Sequence, residues 1–212
     1  ELTNNVNKET RTKLTKSGRK MVLTSFSSAL ISELDIVLLG LFYSGTLLGV
    51  LAWSRRILEI IFQLLAASLD IIFPELSKAN NKKEVSAIRT RLRKVFIYSF
   101  SIPILFFLLR GVAGDIFVSL LGNEFSDVST YASAILFCLP VMVWSRINII
   151  FSRALNFEIN LTKSISIGAI FSYGIYFLMH RIGYNPAVLS IIISQVLIAG
   201  LTTYTFRKSY VQ

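Results

Sequence analysis

Residues 46–77 read TLLGVLAWSRRILEIIFQLLAASLDIIFPELS, a stretch of membrane-helix length that nevertheless carries Arg55, Arg56, Glu59, Gln63 and Asp70. A central Arg or Asp costs roughly 2.5–3.5 kcal/mol to insert into a hydrocarbon core, so these side chains must face protein or a water-filled cavity. Positions 56, 59, 63, 66, 67 and 70 recur at intervals that place them on one face of an α-helix. Arg56, Glu59, Gln63 and Asp70 therefore form a polar stripe with Ala66 and Ala67 between them. Leu58, Ile60, Ile61, Leu64, Leu65, Leu69 and Ile72 form the other face, suited to lipid or to tight helix packing. A helix with these two faces, at this length, is what lines a transport route.

Working outward, apolar runs recur to the end of the 212-residue chain. Mean hydropathy is +0.62 and only 16% of residues are charged, too few for an ordinary soluble domain. The class implied is an all-α polytopic membrane protein. Six transmembrane helices are predicted, at about 21–42, 46–76, 95–110, 128–154, 164–180 and 186–206. Residues 1–20 form a basic arm ahead of this 21–207 bundle, and 208–212 a short tail. Glu1 in place of Met, followed by a polar basic segment unlike a signal peptide, suggests a piece of a longer chain.

Local signals set the boundaries. Tyr43-Ser44-Gly45-Thr46 reads as a tight turn, and Pro74 limits the helix before it. Residues 84–94 are expected to form a basic amphipathic helix on Val85, Ile88 and Leu92, lying at the lipid headgroups. Pro103 and Pro140 are expected kinks. Ile116–Leu121 reads as an interfacial turn or as a continuation of the third span. Asn185-Pro186 suits the start of the sixth.

Charge placement gives the orientation. Of the 22 Lys and Arg residues, all but Arg55, Arg56, Arg110, Arg146 and Arg181 fall in the N-terminal arm, residues 78–94, residues 153–163 or the C-terminal end from Arg207 on. With six spans these segments share one side, which makes both termini cytoplasmic. The net charge of +10 is explained without nucleic acid. Cys138, the only cysteine, permits no internal disulfide and reads as an apolar filler.

The first and second spans run antiparallel, so depths can be compared at 1.5 Å per residue. Asp35 and Glu33 fall about 10 and 13 Å from the outer turn, and Arg55 and Arg56 roughly 14–15 Å. The four therefore share a layer, and Glu59 also reaches either arginine on its own helix. Two arrangements satisfy this pattern: a buried ion-pair network locking two helices, or a hydrated cavity whose arginines meet an anionic substrate. Arginine suits the second because its planar fork binds phosphate oxygens in pairs. Arg146 could snorkel to headgroups or face the cavity beside Asn148. Asp70 lies near the cytoplasmic exit, where it could hold a neighbouring helix or gate a passage. His180 reads as interfacial. No phosphate loop, metal-ligand cluster or nucleophile motif is present, so no enzyme activity and no cofactor is expected.

Ser32-Glu33-Leu34-Asp35-Ile36-Val37-Leu38-Leu39-Gly40 resembles the first helix of a half-transporter in the flippase branch of the multidrug/oligosaccharidyl-lipid/polysaccharide exporter superfamily. Gly49-Val50-Leu51-Ala52, Arg55-Arg56-Ile57 and Phe73-Pro74-Glu75-Leu76-Ser77 resemble its second helix, and Ile116 to Phe125 its segment between the third and fourth. The resemblance covers about residues 19–207. It implies the C-terminal half of a MATE-like transporter of twelve to fourteen helices in the bacterial inner membrane. Such proteins flip undecaprenyl-pyrophosphate-linked oligosaccharide by alternating access, for O-antigen, capsule or other polysaccharide assembly.

On that resemblance, Arg55, Arg56, Glu59, Gln63 and Arg146 would line the substrate cavity. Glu33, Asp35 and Asp70 would serve as charge partners, with coupling to H⁺ or Na⁺. Expected partners are the lipid-linked substrate, the missing N-terminal half, and polysaccharide polymerase or glycosyltransferases. Two other readings are a cation-coupled drug exporter of the same superfamily, which the paired arginines disfavour, and a non-transporting scaffold of a polysaccharide complex.

Overall fold

The computed structural model describes residues 15, 18, 22, 40, 41, 45–79, 82–154, 166–168, 170, 171, 174, 175, 177, 178 and 187–211. No strand occurs among the described residues, and the all-α expectation holds for them. The elements are α1 (Thr46–Asp70), α2 (Phe73–Lys78), α3 (Lys82–Tyr98), α4 (Ser101–Leu108), α5 (Arg110–Leu121), a 3₁₀ turn (Asn123–Phe125), α6 (Val128–Leu136), α7 (Leu139–Ala154) and α8 (Ala187–Val211). Of the first expected span only Val22, Gly40 and Leu41 are described, all helical; the described residues of 166–178 are helical too. Glu33, Asp35, His180 and Asn185-Pro186 lie outside the described residues.

Three helix breaks share one cause. Proline has no N–H to donate to the carbonyl four residues back, and its ring clashes with that carbonyl. Pro74 faces Asp70 in this sense, and α1 stops at Asp70. Pro103 faces Ser99, and α3 stops one residue earlier, at Tyr98. Pro140 faces Leu136, where α6 stops; α7 then leaves at 45° to the α6 segment. A fourth bend has no proline. At Leu109, α5 turns 67° away from the Lys83–Leu108 segment. Gly122, at φ +99°, a conformation few side chains tolerate, then ends α5.

Among the described residues one stretch, Thr46–Lys78, is long and apolar enough to cross a membrane, and three are if each bent pair forms one span. The expected helix over 84–94 differs in two respects. It runs without a break from Lys82 to Tyr98. Its apolar edge, Ile88 and Leu92 with Val85, packs into protein rather than lying alone against headgroups. The sixth expected helix continues past Phe206 to Val211.

The core forms around α1, α6, α7 and α8: α1 packs on α6 and α7, and α8 packs on the same two helices. One cluster joins Leu58 of α1 to Ile135, Leu136, Cys138, Leu139 and Ile191. A second joins Leu69, Leu76, Ile88, Leu92, Val143 and Phe151 with Phe206. Cys138 is buried in the first, as an apolar filler should be. Close approach of α1 to the 3₁₀ turn needs a small residue: a Cβ on Gly49 would sit 3.1 Å from the Phe125 ring. Much of the outward surface is apolar, with Leu64, Ile71, Tyr98, Leu105 and Leu108 all exposed. Helix α5 buries no residue and presents Val112, Ile116 and Leu120 on successive turns. In water such surface would be costly; against acyl chains it is at home.

Candidate functional site

The sequence-derived stripe sits on the outward side of α1. Arg56, Gln63 and Asp70 are exposed and Glu59 is half-covered, while Val50, Leu51, Ser54, Arg55, Leu58 and Leu69 are buried. Ile60, Leu64 and Ile71 are exposed on the same side, one strip round from the polar residues. The open side of α1 is thus divided lengthwise into a polar and an apolar strip. Of the face read as apolar from sequence, Leu58 and Leu69 pack inward and Ile60 and Leu64 point out.

Consecutive residues on a helix diverge by about 100°, and the two arginines show it. The Arg55 side chain is 2% exposed, with Nε donating to Glu59 Oε1 at 3.3 Å. The Arg56 side chain is 63% exposed, with Nη1 3.5 Å from Glu59 Oε2. Glu59, 14% exposed, therefore bridges a buried and an open guanidinium. Next to them Ser54 Oγ lies 2.8 Å from Val50 O and 3.2 Å from Val128 O, tying α1 to α6.

One turn above Pro74, the structure joins two residues whose spacing in the chain does not reveal them as a pair. Arg146 of α7 forks onto Asp70 of α1: Nε donates to Oδ1 at 3.1 Å and Nη2 to Oδ2. This two-point geometry is the strong form of an arginine–carboxylate contact. Asn148 lies two residues on, about 200° round the helix, and turns to α8 instead. Its Nδ2 donates to Thr203 Oγ1 at 2.9 Å, and Trp144 Nε1 donates to the same oxygen at 2.9 Å. Thr203 in turn donates to Ala199 O at 2.6 Å. Arg146 and Asn148 thus serve opposite sides of α7.

A further feature escaped the sequence reading altogether. A groove of about 410 Å³ opens between α3, α7 and α8. Its rim is Arg89 and Arg93, and its walls include Phe96, Trp144, Phe151 and Phe206. The ring centroids of Phe96 and Trp144 are 5.2 Å apart, and those of Phe151 and Phe206 5.8 Å. The available signal was Arg89-x₃-Arg93-x₂-Phe96, one helical face of α3, which the expectation of a surface-lying helix obscured.

Helices with apolar outer faces, one of them crossing-length and striped with arginine and carboxylate, define a helical membrane protein. The family model described as "polysaccharide biosynthesis protein" matches residues 2–130, more than half of the chain, and the chain belongs to that family. No curated protein and no solved structure matches it.

Proposed function

We propose that this chain is one half of a transporter that flips lipid-linked oligosaccharide across the bacterial inner membrane for polysaccharide assembly. The observation that carries the reading is the exposed polar strip on α1, Arg56–Glu59–Gln63–Asp70, on a helix of crossing length. Hydrocarbon would charge several kcal/mol for such a strip. It is therefore completed by protein or water, as the wall of a cavity shared with a second half would do. Membership of a polysaccharide biosynthesis family supports a saccharide-bearing cargo. In this reading Arg56 meets the pyrophosphate or an acidic sugar. Glu59 holds Arg55 and Arg56 between cargoes, and Gln63 supplies hydrogen bonds. Asp70 and Arg146 clamp α1 to α7 at the cytoplasmic end, with both termini in the cytoplasm.

The two halves would rock about the cavity while the lipid tail stays in the bilayer, with H⁺ or Na⁺ coupling through the carboxylates, Glu33 and Asp35 included. Six spans in this half fit the charge segregation along the sequence. The protein is on this reading a transporter and not an enzyme, and its partners are the other half and the polymerase or glycosyltransferases of the same route. The test is Arg56→Gln and Arg56→Lys in the full-length protein in its host, with surface polysaccharide as readout. Arg56→Gln is expected to abolish most export and Arg56→Lys to retain part of it. Undiminished export by a stably inserted Arg56→Gln protein would sink the proposal.

A further inference from the structure

We infer that the groove between α3, α7 and α8 is a second anion site, separate from the α1 strip, and that it holds a phosphate group carried on an apolar chain. Three observations converge on it. Arg89 and Arg93 stand one turn apart on α3, both exposed and both on the groove. Neither makes an ion pair or hydrogen bond with any described residue, in contrast to Arg55, Arg56, Arg91 and Arg146, which have carboxylate partners. Two adjacent guanidinium groups with no carboxylate between them among the described residues create a positive field that an oxyanion would relieve.

The walls decide what carries that oxyanion. Behind the arginines lie the Phe96–Trp144 and Phe151–Phe206 ring pairs and Ile147. A free phosphate would use the rim and leave this apolar surface bare. A phosphate on a hydrocarbon chain uses both, with its head between the guanidinium groups and its chain along the rings. Trp144 fits the boundary between them: its ring lies in the groove while its N–H is engaged with Thr203. Amphipathic rings at such a level are typical of a membrane interface. A basic helix whose apolar edge is already packed into protein keeps its arginines fixed at that level.

This inference goes beyond the proposed transport function and does not need the α1 strip. Its test uses the chain's two tryptophans, Trp53 and Trp144. In the full-length protein, purified in a neutral detergent, the difference in emission between the Trp53→Phe protein and the Trp53→Phe, Trp144→Phe protein isolates Trp144 and so reports the groove. Dodecyl phosphate is expected to change that emission saturably, and inorganic phosphate at equal concentration is not. Arg89→Gln with Arg93→Gln is expected to weaken the response about tenfold or more, as loss of two charge-assisted contacts should. The double Lys variant keeps the charge and should lose less. Arg91→Gln, on the same helix but paired with Glu75 and off the groove, should leave the response unchanged; the readout is binding and not export, so that failure here and failure of the transport reading stay distinct. A dodecyl phosphate response that survives the double Gln change, or inorganic phosphate saturating the site equally well, would overturn the assignment.

Discussion

Arg55 and Arg56 differ by one position and by nearly everything else. The first is enclosed by the helix packing, the second open, and Glu59 serves both. Removing Arg55 leaves Glu59 half-buried with less compensation, so Arg55→Gln should cost stability on the order of 3 kcal/mol. Arg56→Gln should cost under about 1 kcal/mol, as exposed pairs do. Thermal unfolding of the detergent-solubilised variants checks this split, and equal losses would contradict the two environments. Asp70 and Arg146 call for a double-mutant cycle. Asp70→Asn and Arg146→Gln should each destabilise, and the double variant little more than either alone, with a coupling of about 1 kcal/mol for this part-exposed fork. Additive losses would mean that the contact contributes nothing.

At the scale of elements, most breaks were legible because proline chemistry is local. Pro74, Pro103 and Pro140 mark where α1, α3 and α6 end. The 67° bend at Leu109 was not legible, because no residue there forbids a straight helix. What distinguishes it is tertiary: beyond the bend α5 lies so close to α6 that a Cβ on Gly114 would sit 3.1 Å from Ser129 Oγ. The packing of Val85, Ile88 and Leu92 was hidden for a similar reason. A basic amphipathic pattern looks the same whether its apolar edge meets lipid or a neighbouring helix. The Asp70–Arg146 pair spans 76 positions, a separation across which spacing carries no information. The approach of α1 to the 3₁₀ turn gives a prediction at this scale. Gly49→Val should force Phe125 aside and cost about 1–3 kcal/mol, visible as a lowered melting temperature. Gly49→Ala should cost less, since its single methyl meets only the edge of the ring.

For the whole molecule, the composition and the family match agree on a helical membrane protein of polysaccharide biosynthesis. The number of crossings is the property most open to measurement. In the full-length protein cleared of its own cysteines, Cys138 included, single cysteines at Ser77, Thr90 and Lys208 should react with a membrane-impermeant maleimide only after the cytoplasmic side is opened. Cysteines at Glu124 and Asp127 should react in intact cells. Labelling of both groups from one side would rule out the orientation drawn from the basic residues.

Helix α5 has a mechanical consequence. It anchors no core, shows Val112, Ile116 and Leu120 outward, and meets its neighbour at an elbow. With that face against acyl chains, it would ride at their boundary like an outrigger. A leaflet that thins or thickens would then work first on the elbow, which takes up the mismatch. The hull beside it, with its charged strip, would keep its depth.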